Sequence, residues 1–439
     1  MNIHFSGVGG IGMSALARYY LSNGHTVSGS DSAVSPLTEE LVKEGIKWVS
    51  DNEVFSEEVT LHIYSEAVPE NDIQRLFAKE KGIKSISYFR ALGEISKEYK
   101  TIAVSGTHGK STTTAMIGIT LKELGIDPLV IVGTLVREFG GKNVTAPKHK
   151  TNNSWFIVEA CEYRENFLAL EPFALVLLNC EWDHIDYFKC FEDYKKAFIK
   201  LVRKIPENGF LVLNAEDKVC LEISREAKCK VIPIKFSDIK NPIKPQVPGW
   251  HNQMNAEIAK AVCLELAPEK EKGVIRILEK YAGAWRRFDV LGEKEGVLVI
   301  DDYAHHPTEI STTLKSLFEK YPDKKKYILV FQPHQYSRTK ELFEGFMESF
   351  DILKKYNHKL YITDIYEARD SEEDKRTVSS DKLANAIRER GIDAEASGDY
   401  ESTLKIIRKD DLDGNPSNVI LFTMGAGPVN ELAKMYLFQ

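Results

Sequence analysis

Short apolar runs alternate with stretches of helical periodicity along most of the chain, the pattern of strands feeding helices that cover a parallel sheet. Residues 2–6, 26–30, 61–65 and 85–87 predict strands, with a helix over 13–22 between the first two. The polar stretch Ser96-Lys97-Glu98-Tyr99-Lys100 predicts a linker. A second unit opens with a strand at 101–105 and continues through strands at 155–159, 175–179 and 210–213. It passes a Pro- and Lys-rich loop at 241–249 and closes with helices at 253–266 and 272–282. From Gly283 onward, strands at 297–300, 327–331, 359–363 and 419–423 are separated by helical stretches such as 340–355 and 381–390. The expectation is an α/β chain of three consecutive domains, 1–97, 98–282 and 283–439, with ligands at the carboxyl ends of strands.

Composition narrows the function classes. The 439 residues are 43% hydrophobic and 28% charged, as in ordinary globular proteins. A net charge of −7 argues against nucleic acid or an anionic membrane as the main partner. The six cysteines show no metal-type pairing and no dense disulfide spacing, which predicts a reduced, cytoplasmic setting. The N-terminus enters a folded motif at once, with no signal peptide, and no apolar run is long enough to span a bilayer.

Candidate chemistry gathers at predicted strand ends. Gly7-Val8-Gly9-Gly10-Ile11-Gly12 follows a strand and opens a helix, so Gly9, Gly10, Ile11 and Gly12 are placed to cradle a diphosphate at a helix N-terminus. Asp31 ends the next strand, where an acid commonly takes a ribose hydroxyl. The turn by itself fits a nicotinamide dinucleotide, a uridine diphosphate or a bare glycine turn. Gly106-Thr107-His108-Gly109-Lys110-Ser111-Thr112 is a shortened P-loop, since Val104 stands where the longer pattern has glycine. Its amides suit phosphates, Lys110 the terminal ones, and Ser111, ahead of Thr112, the hydroxyl for Mg²⁺. Glu159 ends an apolar strand and His184 follows another, which makes both metal-ligand candidates, while Glu162 reads as a second ligand or a surface group. Asp301, Asp302, Tyr303, His305 and His306 follow a late strand: Asp302 suits a ribose hydroxyl, and His305 a phosphate or a proton. Arg286 and Arg287 suit bidentate anion binding, or plain surface ion pairs. His334 and Arg338 lie at one more strand end, and Gly425-Ala426-Gly427 reads as a weaker signal or a turn.

In this order, the glycine turn with Met13-Ser14, the loop Gly106 to Thr112, Glu159, Asp183-His184, Pro248-Gly249-Trp250-His251-Asn252, Arg286-Arg287-Phe288, the run Asp301 to Glu309 and the run Gln332 to Thr339 resemble the Mur ligases over essentially the whole chain. The resemblance implies a Rossmann-like N-terminal domain for a UDP-sugar, a central P-loop domain for ATP and Mg²⁺, and a Rossmann-like C-terminal domain that closes over them. It is strongest to the branch that joins L-alanine to UDP-N-acetylmuramate through an acyl phosphate. By position, Lys110, Arg287 and His305 would act on phosphate, Ser111, Glu159 and His184 on metal, and Asn252 and Asp302 on the adenine and ribose. His108 would serve both nucleotides, and Tyr303, His334 and Arg338 would approach the amino acid. The chain departs from the family pattern at Cys161 and Arg164, where acidic residues are usual, at Gln335, where Arg is common, and at Pro428. Rival readings are the branch that attaches a recycled tripeptide, a nicotinamide-dependent dehydrogenase, and a nucleotide-binding protein without chemistry.

Overall fold

The computed structural model describes residues 1–151, 153–184, 186–368, 370–412 and 418–439. They form two compact units, Met1–Lys244 with Gln253–Tyr281, and Pro245–Asn252 with Ala282–Gln439. The first unit holds two sheets and the second holds one.

The first sheet contains β1 (Asn2–Ser6), β2 (Thr26–Ser30), β3 (Lys47–Trp48), β4 (Leu61–Tyr64) and β5 (Lys84–Ser87), all parallel in the order β3-β2-β1-β4-β5. Strand order reverses beside β1, so the crevice of an open sheet lies at its carboxyl end, above the glycine turn. Alternation along β1 sends Ile3 and Phe5 into the apolar core. His4 and Ser6 face the other way into a buried polar cluster. There Gln74 Oε1 accepts from Ser30 Oγ at 2.6 Å and pairs with His4 Nε2 at 3.0 Å, while His62 Nε2 pairs with Ser6 Oγ at 2.9 Å. Burial pushes His4 down to about 4 and His62 to about 3, so both rings are neutral.

The second sheet contains β6 (Lys100–Ser105), β7 (Leu129–Val136), β8 (Lys142–Thr145), β9 (Trp155–Glu159), β10 (Pro172–Leu177), β11 (Phe210–Asn214) and β12 (Lys230–Ile234), in the order β12-β11-β10-β6-β9-β7-β8. It is parallel except for β8, which returns antiparallel along β7. The polar β8 escapes prediction because its pairing, not its own propensity, makes it a strand. Its Asn143 is fully buried against the helix Ile11–Ser22. Asn143 Oδ1 accepts from Arg18 Nη1 at 2.9 Å, and its Nδ2 donates to the Ile11 carbonyl at 2.5 Å and to Ser14 Oγ at 2.9 Å. One continuous apolar core runs beneath both sheets. The expected linker is correspondingly tight: only Lys97, Glu98 and Tyr99 separate the helix Tyr88–Ser96 from β6, and Tyr99 is buried, 5.9 Å from the Phe156 ring.

The third sheet contains β13 (Asp289–Lys294), β14 (Val297–Asp302), β15 (Lys326–Phe331), β16 (His358–Thr363), β17 (Ala394–Gly398) and β18 (Val419–Met424), in the order β13-β14-β18-β15-β16-β17, with β13 antiparallel to β14. Two expectations change here. Asp301 and Asp302 are the last residues of β14, where they pair with Thr423 and Met424 of β18, and do not belong to the loop that follows. The single helix over 340–355 is three pieces, Tyr336–Glu341, Phe343–Ser349 and the 3-10 turn Asp351–Lys355. The break at Leu342 turns Phe346 and Phe350 onto Phe331, with ring centroids 5.6 and 5.5 Å away. Among the described residues no helix is long and apolar enough to cross a membrane.

Candidate active site

The P-loop leaves β6 through two glycines that no other residue replaces without strain. Gly106 has φ 140° and lies so close to β10's exit that a Cβ would stand 3.0 Å from Leu178 Cβ. Gly109, at φ 84°, precedes the first turn of the helix Lys110–Glu123. Asn179 clamps the loop between them, accepting from the His108 amide at 2.8 Å and donating to its carbonyl at 3.0 Å. Thr107 Oγ1 donates to the Glu181 carbonyl at 2.7 Å, and His108 Nε2 pairs with Glu181 Oε2 at 2.8 Å. The amides of such a loop, at a helix N-terminus, favour phosphate.

Lys110 Nζ donates to the Gly106 and Thr107 carbonyls at 2.5 and 3.0 Å and reaches Glu162 Oε2 at 3.1 Å. Glu162 is wholly buried and also meets His184 Nε2 at 3.3 Å. It is not a surface group. Burial raises the Glu162 carboxyl, but Lys110 and His184 outweigh it and hold the group below its ordinary value. Burial likewise disfavours the Lys110 ammonium, and Glu162 reverses the direction, so its value is raised. The pair is therefore charged on both sides. Burial lifts the neighbouring Cys161 thiol to about 12, which leaves it neutral where the family pattern carries an acid.

Glu159 stands at the end of β9, with Oε2 accepting from Ser111 Oγ at 3.1 Å and Oε1 from the Gly133 amide at 2.5 Å. A Cβ at Gly133 would stand 2.9 Å from Glu159 Oε2, so any larger residue there would displace the carboxylate from its present position. His184 sits at φ 54°, with its ring 4.9 Å from that of Tyr163. Thus Lys110, Ser111, Glu159 and His184 come together as the sequence implies, with Glu162 added at their centre. Asn255, which the sequence did not single out, packs its Oδ1 3.0 Å from where a Gly109 Cβ would be. Asn252 belongs to the other unit, where its Nδ2 donates to the Pro248 carbonyl at 2.7 Å.

In the glycine turn, Asp31 Oδ2 accepts the Gly9 amide at 2.8 Å, so this carboxylate shapes the turn. Gly10 precedes the helix that starts at Ile11, and Gly12 lies under the Tyr88 ring.

The second unit carries its own cluster. Arg286 is buried and spans Asp301 at 2.8 Å and the carbonyls of Gly427 and Gly425 at 2.7 and 2.6 Å. It is an internal brace, not a surface ion pair, and it gives the Gly425–Gly427 turn its purpose. Arg287 lies 5.0 Å over the Tyr303 ring. From there a chain of rings runs through His305 at 5.3 Å and His334 at 6.0 Å to Tyr366, stacked at 5.4 Å. Arg338 Nη1 meets His334 Nδ1 at 3.4 Å. Tyr366, far along the chain and set by an isolated bridge to His334, had no motif to announce it. Asp302 accepts the amides of Phe288 and Ala304 at 2.7 and 2.8 Å, and burial raises it to about 6.

Three family profiles match consecutive parts of the chain: the Mur ligase family catalytic domain over residues 2–100, the Mur ligase middle domain over 104–246, and the Mur ligase glutamate ligase domain over 286–427. The chain belongs to the Mur ligase family. This Mur ligase is 38% identical to UDP-N-acetylmuramate–L-alanine ligase of Acetivibrio thermocellus, with 99% of this chain and 95% of the relative covered. It is 37% identical to the enzyme of the same name from Clostridium botulinum, covering 99% and 97%. Among solved structures it resembles UDP-N-acetylmuramate–alanine ligase of Thermotoga maritima, with a TM-score of 0.79, 25% identity and coverage of 100% and 98%. A murein peptide ligase of Psychrobacter arcticus shares the fold, with a TM-score of 0.71 at 21% identity over 100% and 98% of the two chains.

Proposed function

We propose that this Mur ligase joins L-alanine to the lactyl carboxylate of UDP-N-acetylmuramate at the expense of ATP, in the synthesis of peptidoglycan precursors. The carrying observation is the P-loop joined through Lys110 to the buried Glu162 and His184, in a chain 37–38% identical over its length to relatives of that name. A free carboxylate is a poor acyl donor, since oxide would have to leave. Phosphorylation supplies a better leaving group, and the amine of alanine then displaces phosphate to form the amide.

Residues 1–97 are assigned to the UDP-sugar, 98–282 to ATP and 283–439 to the amino acid. Gly9, Gly10, Ile11 and Gly12 take the diphosphate, with Asp31 holding the turn. The amides from Gly106 to Thr112 take the ATP phosphates, and Lys110 turns from its own loop carbonyls to the terminal ones. Glu162 keeps that ammonium protonated and aimed. Ser111, Glu159 and His184 form an oxygen-rich donor set of the kind that suits Mg²⁺. Bound there, the ion would offset charge on the transferred phosphoryl group. In the third domain Arg287 and His305 are assigned to phosphate, Asp302 and Asn252 to the nucleoside, and Tyr303, His334 and Arg338 to the alanine carboxylate. The cytoplasm, where ATP is abundant, is the proposed location.

Phosphate release from MgATP with UDP-N-acetylmuramate, compared with and without L-alanine, glycine, L-serine and the recycled tripeptide, tests the reading. Release that needs both the sugar nucleotide and L-alanine supports it. Release with the tripeptide alone moves the protein to the murein peptide branch, and no release with any amine rejects the ligase.

A further inference from the structure

The helix Tyr88–Ser96 begins against Gly12 of the glycine turn, and its first residue also lies within reach of the Glu159 charge. Its first residue lays its ring against Gly12, where a Cβ would stand 2.6 Å from both Cζ and Oη. Phe89 supports the ring edge-on at 5.0 Å. Other tyrosines nearby are engaged: Tyr194 Oη meets Thr107 Oγ1 at 2.9 Å and Tyr163 Oη donates to Asp186 at 2.8 Å. The half-buried Tyr88 hydroxyl makes no hydrogen bond among the described residues. Burial, and then the charge of Glu159, hold its proton on far above the ordinary range. It is an uncommitted neutral donor near a carboxylate.

The two sites that Tyr88 neighbours are tied together by one hairpin. Asn143 ties the β7–β8 hairpin to the Ile11 carbonyl, and the same hairpin holds Glu159 through Gly133. On the ligase reading above, a sugar nucleotide with its diphosphate on the glycine turn directs its carboxylate toward Ser111 and Glu159, and Tyr88 neighbours both that turn and Glu159. An incoming carboxylate is repelled by Glu159, and a donor on that path offsets the repulsion. We propose, on the ligase reading above, that Tyr88 is a substrate-positioning residue whose hydroxyl donates to the lactyl carboxylate of the bound sugar nucleotide. The ring serves the fold by packing on Gly12, and the hydroxyl serves the substrate.

Tyr88→Phe keeps the ring and removes the donor. Calorimetric titration of the whole protein with UDP-N-acetylmuramate, with UDP-N-acetylglucosamine (which lacks the lactyl group) and with ATP separates the roles. The expected result is Kd for the muramate raised about 10- to 100-fold, the range for losing a hydrogen bond to a charged group. Kd for the glucosamine and for ATP, and the melting temperature, should stay as in the wild type. Unchanged muramate affinity, or equal loss for both sugar nucleotides, overturns the assignment while leaving the ligase intact. A wild type that binds neither sugar nucleotide rejects the ligase reading of the glycine turn and the role of Tyr88 with it.

Discussion

Glu162 keeps a negative charge where water is excluded, because Lys110 and His184 stand on either side of it. Removing one partner of such a buried group costs about 3–5 kcal/mol, far more than an exposed pair is worth. Glu162→Gln should therefore lower the melting temperature and weaken ATP binding together, as read by thermal scans with and without nucleotide. Lys110→Ala should instead leave sugar-nucleotide affinity unchanged and cut the rate of phosphate release on the order of 10²–10³-fold, the scale for losing one charge-stabilising donor. Intact ligation by that variant would sink the mechanism. Lys110, Ser111 and Glu159 were legible in sequence because each sits at a fixed step from a strand end. Glu162, three residues past Glu159, carried no mark of its burial, which is set by Lys110 and His184, far off in the chain.

At the scale of elements, β10, β15 and β18 announced themselves by continuous apolar runs. β17, Ala-Glu-Ala-Ser-Gly, and the polar β8 are strands only because a neighbour offers them a ladder. Asn143 was invisible for the same reason, whereas Gly133 lies in β7, whose apolar run is missing from the expected strands. Gly133→Ala would press a methyl against the Glu159 carboxylate. The expected outcome is a need for about 10- to 100-fold more Mg²⁺ to reach half-maximal activity, as when a group orienting a ligand is lost. Binding of UDP-N-acetylmuramate, measured without ATP, should not move.

For the molecule as a whole, the neutral pair His4 and His62 links stability to acidity. Their folded values, about 4 and about 3, lie below the ordinary 6.5. Between those limits the unfolded chain binds more protons, so stability is full above about pH 6.5 and falls as pH drops toward 4, on the order of 3 kcal/mol per histidine. Urea titrations at pH 7.5 and 5 should show the loss, and His4→Gln should reduce it. The succession of α/β domains was readable because strand and helix periods persist throughout the chain. The polar packing under β1 was not, since His4, Ser6 and Gln74 look like surface residues until they are brought together.

The clasp at Asn143 has a consequence for how the protein is made. On the ribosome the first sheet is complete once Ser87 has emerged, and Arg18 can already meet Glu44, yet the Asn143 amide that joins Arg18 to the Ile11 carbonyl and Ser14 lies 125 and 132 residues further along than Arg18 and Ile11. Until then the helix Ile11–Ser22 shows the nascent chain's surroundings a face meant for β7 and β8. A fragment ending at residue 99 should accordingly exchange its α-helical amides quickly and bind chaperones, whereas one ending at 281 should be protected throughout that helix. The first sheet of this ligase is thus synthesised before anything else but finished only when the hairpin of the second sheet has followed it.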